Sequence, residues 1–196
     1  MRMRGWLLAG MVLGQAQAWA QAAPAAEPAP AQARAQAAAQ DLGRQLKAAL
    51  AQQLERGGTV GAITFCHEEA PLIAARVGAA HGVRIGRVAV TGRLRSPANA
   101  AESWQAQGLA GFEARVAAGE PVSALVQVQQ QDLPAGVALR LMRGIAVEPM
   151  CLACHGKELA ADTRAALQRL YPRDAATGFA VGDLRGAMWV EVPATR

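Results

Sequence analysis

Val122-Ser123-Ala124-Leu125-Val126-Gln127-Val128 and Val137-Ala138-Leu139-Arg140-Leu141-Met142-Arg143-Gly144-Ile145-Ala146-Val147 are the runs on which the fold turns. Val122, Ala124, Val126 and Val128 alternate along the first run. Val137, Leu139, Leu141, Ile145 and Val147 recur at odd positions along the second. A period of two marks a strand with one face buried, and Asp132 to Gly136 between them carries turn residues. Strands joined by so short a connection must pair antiparallel, because a parallel pair needs a long crossover.

Working outward, the other segments read as helices and further strands. Leu42, Leu46, Leu50 and Leu54 recur every four residues from Asp41, giving an apolar helix stripe that Gly57-Gly58 stops. Thr59 to Phe65 is short and β-branched, which predicts a strand delivering Cys66 at its end. Glu68-Glu69 opens a helix with Pro71 in its first turn and Leu72, Ile73 and Val77 buried. Val83 to Thr91 predicts another strand, with a bulge at Gly86 where the apolar register shifts. Asn99 with Glu102 resembles a capping box, and Trp104, Leu109, Phe112 and Val116 mark the helix that follows. Asp162 to Tyr171 is a helix ended by Pro172, and Ala187 to Val192 is a last strand. Helices with about five strands, two of them a hairpin, predict an α+β domain around an antiparallel sheet.

The N-terminus reads differently. Met1-Arg2-Met3-Arg4-Gly5 is basic, Trp6 to Gly14 is apolar, and Ala18-Trp19-Ala20 is a small-x-small site. That order of parts is a secretory signal peptide over residues 1–20, too short in its apolar run to span a bilayer. Residues 21–40 are Ala/Pro/Gln-rich without a large apolar side chain, which predicts a flexible tether. The globular domain is then expected over 41–196, periplasmic and without a membrane span. The formal charge of +5 falls to +3 without Arg2 and Arg4. No basic run interleaved with aromatics points to nucleic acid. Three cysteines, two of them in one pentapeptide, do not make a disulfide framework.

That pentapeptide is Cys151-Leu152-Ala153-Cys154-His155. Two thiols on one turn can reach the two vinyl groups of a porphyrin edge, and the adjacent histidine can turn its imidazole onto the iron. A redox disulfide would not call for the histidine, and a zinc site would call for two more ligands. The expected cofactor is one covalent haem c, with His155 as proximal ligand. Cys66, His67, His81, Met142, Met150 and Met188 are the candidates for the opposite iron position. A lone cysteine is as readily a small buried hydrophobe as a ligand.

The chain resembles periplasmic c-haem sensor proteins with a PAS-like fold. The resemblance rests on Ala62-Ile63-Thr64-Phe65-Cys66 with Ala70-Pro71, on Cys151 to Gly156, and most specifically on Tyr171-Pro172-Arg173-Asp174-Ala175-Ala176-Thr177-Gly178-Phe179-Ala180-Val181-Gly182-Asp183-Leu184-Arg185-Gly186-Ala187. A weaker likeness covers Arg93 to Trp104, where Ser96-Pro97-Ala98-Asn99 and Gln105 depart from the family pattern. The resemblance implies His/Cys axial ligation by His155 and Cys66. Within the third stretch, Arg185 is a candidate for pairing a haem propionate and Tyr171 for contacting the cofactor. The expected role is a redox or small-gas sensor that changes ligand on reduction, binds a diatomic gas, and signals to a separate redox or signalling protein. An electron-transfer cytochrome is the alternative, and a haem enzyme the third reading.

Overall fold

Four strands make one antiparallel sheet in a computed structural model that describes residues 29–194. They are β1 (Arg84–Ala89), β2 (Val126–Gln129), β3 (Val137–Ala146) and β4 (Leu184–Pro193), in spatial order β1-β4-β3-β2. The hairpin is present, with Val126 opposite Arg143 and Val128 opposite Leu141. Val122–Ala124 is a 3-10 turn leading into it rather than part of the strand. Five α-helices surround the sheet: α1 (Pro30–Glu68), α2 (Ala70–His81), α3 (Ser103–Ala117), α4 (Leu152–His155) and α5 (Ala161–Leu170).

The alternation along β3 and β4 decides which helix meets which face. Leu139, Leu141, Val190 and Val192 point to one side and pack with Ala35 and Ala39 of α1. Met142, Ala187 and Trp189 point to the other, where Leu109 and Phe112 of α3 cover them. Leu42, Leu46, Phe65, Ile73 and Val77 join α1 to α2 beside Met188 and Ile85. The architecture is α+β, with α1 and α2 on one face and α3 on the other.

Several expectations need correction. The sheet has four strands, not five, because Thr59 to Phe65 is helical. Gly58 does interrupt the helix (φ 59°, ψ −159°), but the chain resumes beyond the kink as a second helical stretch to Glu68 and not as a strand. Burial of Ala62, Ile63 and Phe65 at helical spacing overrides the strand preference of these residues. The tether expected over residues 21–40 is also helix from Pro30 on, so the fold begins before Asp41. Alanine is the best helix former, Pro30 suits the first turn, and the small Ala35, Ala38 and Ala39 let α1 approach the sheet closely. The signal peptide and residues 21–28 lie outside the described residues.

Smaller corrections follow the same logic. Leu72 is half exposed, and Ala70, Ile73 and Val77 form the buried face of α2. Helix α3 is capped by Glu102 with Gln105, while Asn99 instead donates to the Arg87 carbonyl at 2.8 Å. Gly86 makes no bulge, since β1 runs in unbroken register against β4. It is glycine because a Cβ there would lie 2.9 Å from the Trp189 indole. Trp189 is itself held edge-on by Trp104 at 6.2 Å, so it cannot yield freely. Gly86→Ala is therefore expected to destabilise by about 1–3 kcal/mol. Urea unfolding checks this, and an unchanged midpoint would refute the packing account.

Candidate functional site

Local chain geometry brings the pentapeptide into position. Pro149 opens a 3-10 turn with fixed φ, and the Glu148 amide donates to Cys151 Sγ at 3.4 Å. The turn runs into α4, so Cys151, Cys154 and His155 fall at i, i+3 and i+4 and share one face. Gly156 then turns the chain away in a space where a Cβ would stand 2.6 Å from the Leu152 carbonyl oxygen. The loop after Tyr171 clasps the end of α4. Phe179 N–H donates to the His155 carbonyl and Gly178 N–H to that of Gly156, both at 2.9 Å.

His155 is fixed in one tautomer. Its Nδ1 lies 2.6 Å from the Ala176 carbonyl, which can only accept, so Nδ1 carries the proton. Nε2 is left unprotonated, with Arg95 Nη1 donating to it at 3.5 Å. Burial pushes the His155 pKa down to about 3, aided by the charges of Arg95 and Arg185. The imidazole is thus neutral and ligand-ready at ordinary pH. Burial also pushes the Cys154 thiol up to about 11 and raises that of Cys66, against the pull of Arg87 and Arg95 on the latter.

These groups line one cavity of about 690 Å³, within the range of small-molecule and cofactor sites. Its walls are α1 on one side, with Leu46, Leu50, Phe65 and Cys66, and the sheet on the other, with Arg87, Arg143, Ile145 and Met188. Cys66, Cys151, Cys154, His155, Tyr171 and Arg185 all line it. Cys66 arrives from the last turns of α1, not from a strand. Of the other ligand candidates, Met150 and Met188 also face the cavity. His67 is exposed and meets Tyr171 edge-on at 5.2 Å, and His81 pairs with Asp41 at 3.2 Å. Met142 is buried on the α3 side of the sheet. Among the described residues no cluster of three or more His, Cys, Asp or Glu side chains could hold a bare metal ion.

Three arginines were not singled out by sequence reasoning. Arg87 and Arg143 stand in one cross-strand row with Met188 between them, on the cavity face of the sheet. Arg95 sits beneath His155, paired with Asp174 at 2.9 Å. Among the described residues Arg87, Arg143 and Arg185 have no acidic partner, and Arg185 Nε is buried without any hydrogen-bond acceptor. Glu148, the acidic side chain of the lining, is already bonded to Lys47 at 2.6 Å. Burial, then the charges of Arg95 and Arg87, pushes the Arg185 pKa down to about 10. A largely apolar cavity with guanidinium groups lacking acidic partners suits an apolar ligand that carries anionic substituents.

Comparison with known proteins agrees with this arrangement. The Tll0287-like family model matches residues 21–193. A solved structure, the crystal structure of the cyanobacterial haem protein Tll0287, is 31% identical. The match covers 65% of this chain and 71% of that one, with a TM-score of 0.51. No curated protein matches.

Proposed function

The chain belongs to the Tll0287-like family, and from that premise we propose that it is an exported mono-haem c-type cytochrome acting as a redox or small-gas sensor. The observation that carries this reading is the one cavity where Cys151, Cys154 and the unprotonated Nε2 of His155 meet Cys66 and arginines without acidic partners. The residues fit the group. Cys151 and Cys154 would hold it by thioethers and His155 would be the proximal ligand. Arg185, whose Nε is buried without a partner, and Arg87 would face its two carboxylates. Tyr171, buried at 7% exposure, closes one wall. When bound, a haem supplies a one-electron couple and coordination positions for a diatomic gas.

Cys66 is the group we assign opposite His155, as the resemblance to c-haem sensors implies. Burial raises the pKa of its thiol, so a bound haem iron would have to stabilise the thiolate for Cys66 to act as a ligand. Cys66 lies near the end of α1, which packs against α2, so a change at this side chain would be felt there. A PAS-like scaffold would suit such signalling to a separate protein partner. The basic head, the apolar run and Ala18-Trp19-Ala20 of the sequence are what support export to the periplasm. Among the described residues no helix is long and apolar enough to cross a membrane.

Met150 and Met188 also line the cavity and favour a second reading. A thioether in place of Cys66 would hold iron in both oxidation states and make the protein an electron carrier. Absorption spectra of the wild type and Cys66→Ser, ferric and ferrous, with and without CO, separate the two. Ligation by Cys66 predicts a changed ferric spectrum in the variant and CO binding to the reduced wild type. An unchanged ferric spectrum would refute it.

A further inference from the structure

The Arg95 guanidinium is nearly removed from solvent, at 10% exposure, and makes more contacts than an ion pair requires. Nε and Nη2 donate to the two Asp174 carboxylate oxygens at 3.1 and 2.9 Å. Nη2 also donates to the Cys154 carbonyl at 2.6 Å and to the Ala176 carbonyl at 3.2 Å. That Ala176 oxygen is the acceptor for His155 Nδ1–H. Asp174 closes the ring by accepting from the Ala176 amide at 2.8 Å. The remaining nitrogen, Nη1, donates to His155 Nε2 at 3.5 Å.

We propose that Arg95 is a positioning residue for His155, orienting its imidazole through the shared Ala176 carbonyl and raising the reduction potential of the iron that Nε2 would bind. The inference rests on the haem reading above and adds a residue to it. A guanidinium fork is needed because one group must tie Asp174, the α4 carbonyl and the loop carbonyl together. An ammonium offers no such planar arrangement. Two effects on the potential have the same sign. Sharing the Ala176 oxygen weakens its bond to Nδ1–H, so the imidazole donates less electron density to iron. A fixed positive charge beside Nε2 also disfavours the ferric form.

The test compares holo-proteins of the wild type, Arg95→Gln/Asp174→Asn and Arg95→Lys by spectroelectrochemistry and ferric EPR. The double variant removes both charges, so that no unpaired carboxylate stays buried. Its one-electron equilibrium is expected to shift about tenfold toward the ferric state, about 59 mV lower. Arg95→Lys should keep most of the potential but displace the EPR g-values, because the fork is lost. A double variant with wild-type potential and g-values overturns the proposal. If the double variant does not accumulate as holo-protein, wild-type g-values in Arg95→Lys overturn it alone. A wild type lacking covalent haem by the pyridine haemochrome assay would instead overturn the haem reading on which this one stands.

Discussion

Replacing both Cys151 and Cys154 by alanine is expected to take covalent haem from one per chain to none when the protein is exported alongside haem-attachment machinery. The two thiols sit three residues apart on one face of a turn and line the cavity that holds the unprotonated His155 nitrogen. Each thioether forms by adding an S–H across a vinyl double bond, with no leaving group. Burial keeps the Cys154 thiol up at about 11, so little thiolate exists at neutral pH and unassisted addition should be slow. Either single variant should therefore retain one link and the double variant none. Haem staining after denaturing electrophoresis, with intact mass, checks this. Covalent haem in the double variant would remove the basis for the site.

How much of this was legible in the sequence depends on what each residue answers to. The hairpin could be read because Leu139 and Leu141 face a single apolar layer, which keeps their alternation clear. The pentapeptide could be read because its chemistry is local, confined to one turn. Thr59 to Phe65 could not. Its β-branched residues favour a strand in isolation, while Ile63 packs with Ala166 and Leu167 of α5, more than a hundred residues away. The Ala-rich stretch from Pro30 failed for the opposite reason. Lacking large side chains argues against a core in general, yet it is what lets α1 lie close against Leu139 and Val192. Gly86 was misread as a bulge, because what requires glycine there is the Trp189 ring across the sheet.

The site shows the same division. Cys66 was a candidate from its residue type and from the family resemblance, although its element was assigned wrongly. The strand was expected to end at Phe65 and the helix runs on to Glu68, so Cys66 lies near the end of its element in both cases. The arginines were invisible for a physical reason. A guanidinium on a strand is ordinarily solvated, and only the register that sets Arg87 beside Met188 and Arg143 turns it inward. Arg95 depends on Asp174, 79 residues along the chain. No local pattern encodes that pair. The charge excess in the cavity therefore emerges only after folding, and it is the feature that most narrows the ligand to one carrying anionic groups.

The second large effect concerns acid. The chain produced without haem is expected to lose stability steadily as pH falls from about 6.5 toward 3, through His155. Burial first, and the charges of Arg95 and Arg185 second, push the folded-state pKa from 6.5 down to about 3. In the unfolded chain the imidazole takes a proton as pH falls through about 6.5, whereas the folded chain refuses it until about 3. The unfolded state binds more protons throughout that window, so stability rises with pH and the contribution is complete above it. The difference corresponds to on the order of 5 kcal/mol across the window, with about 2 kcal/mol already lost near pH 5. Carboxylates such as Asp41, held low by hydrogen bonds from Gln45 and His81, lose their own contribution as pH falls below the ordinary carboxylate range and so add to the loss at the acid end. The measurement must therefore be a difference. Urea unfolding of the wild type and His155→Gln at pH 7, 5 and 4 isolates the histidine, because glutamine can still donate to Ala176 but cannot charge. The wild type should lose the larger part of its stability relative to the variant, and parallel curves would contradict a buried neutral imidazole. A histidine kept unprotonated at such cost to acid stability has its lone pair available, and that is the condition a proximal ligand must meet.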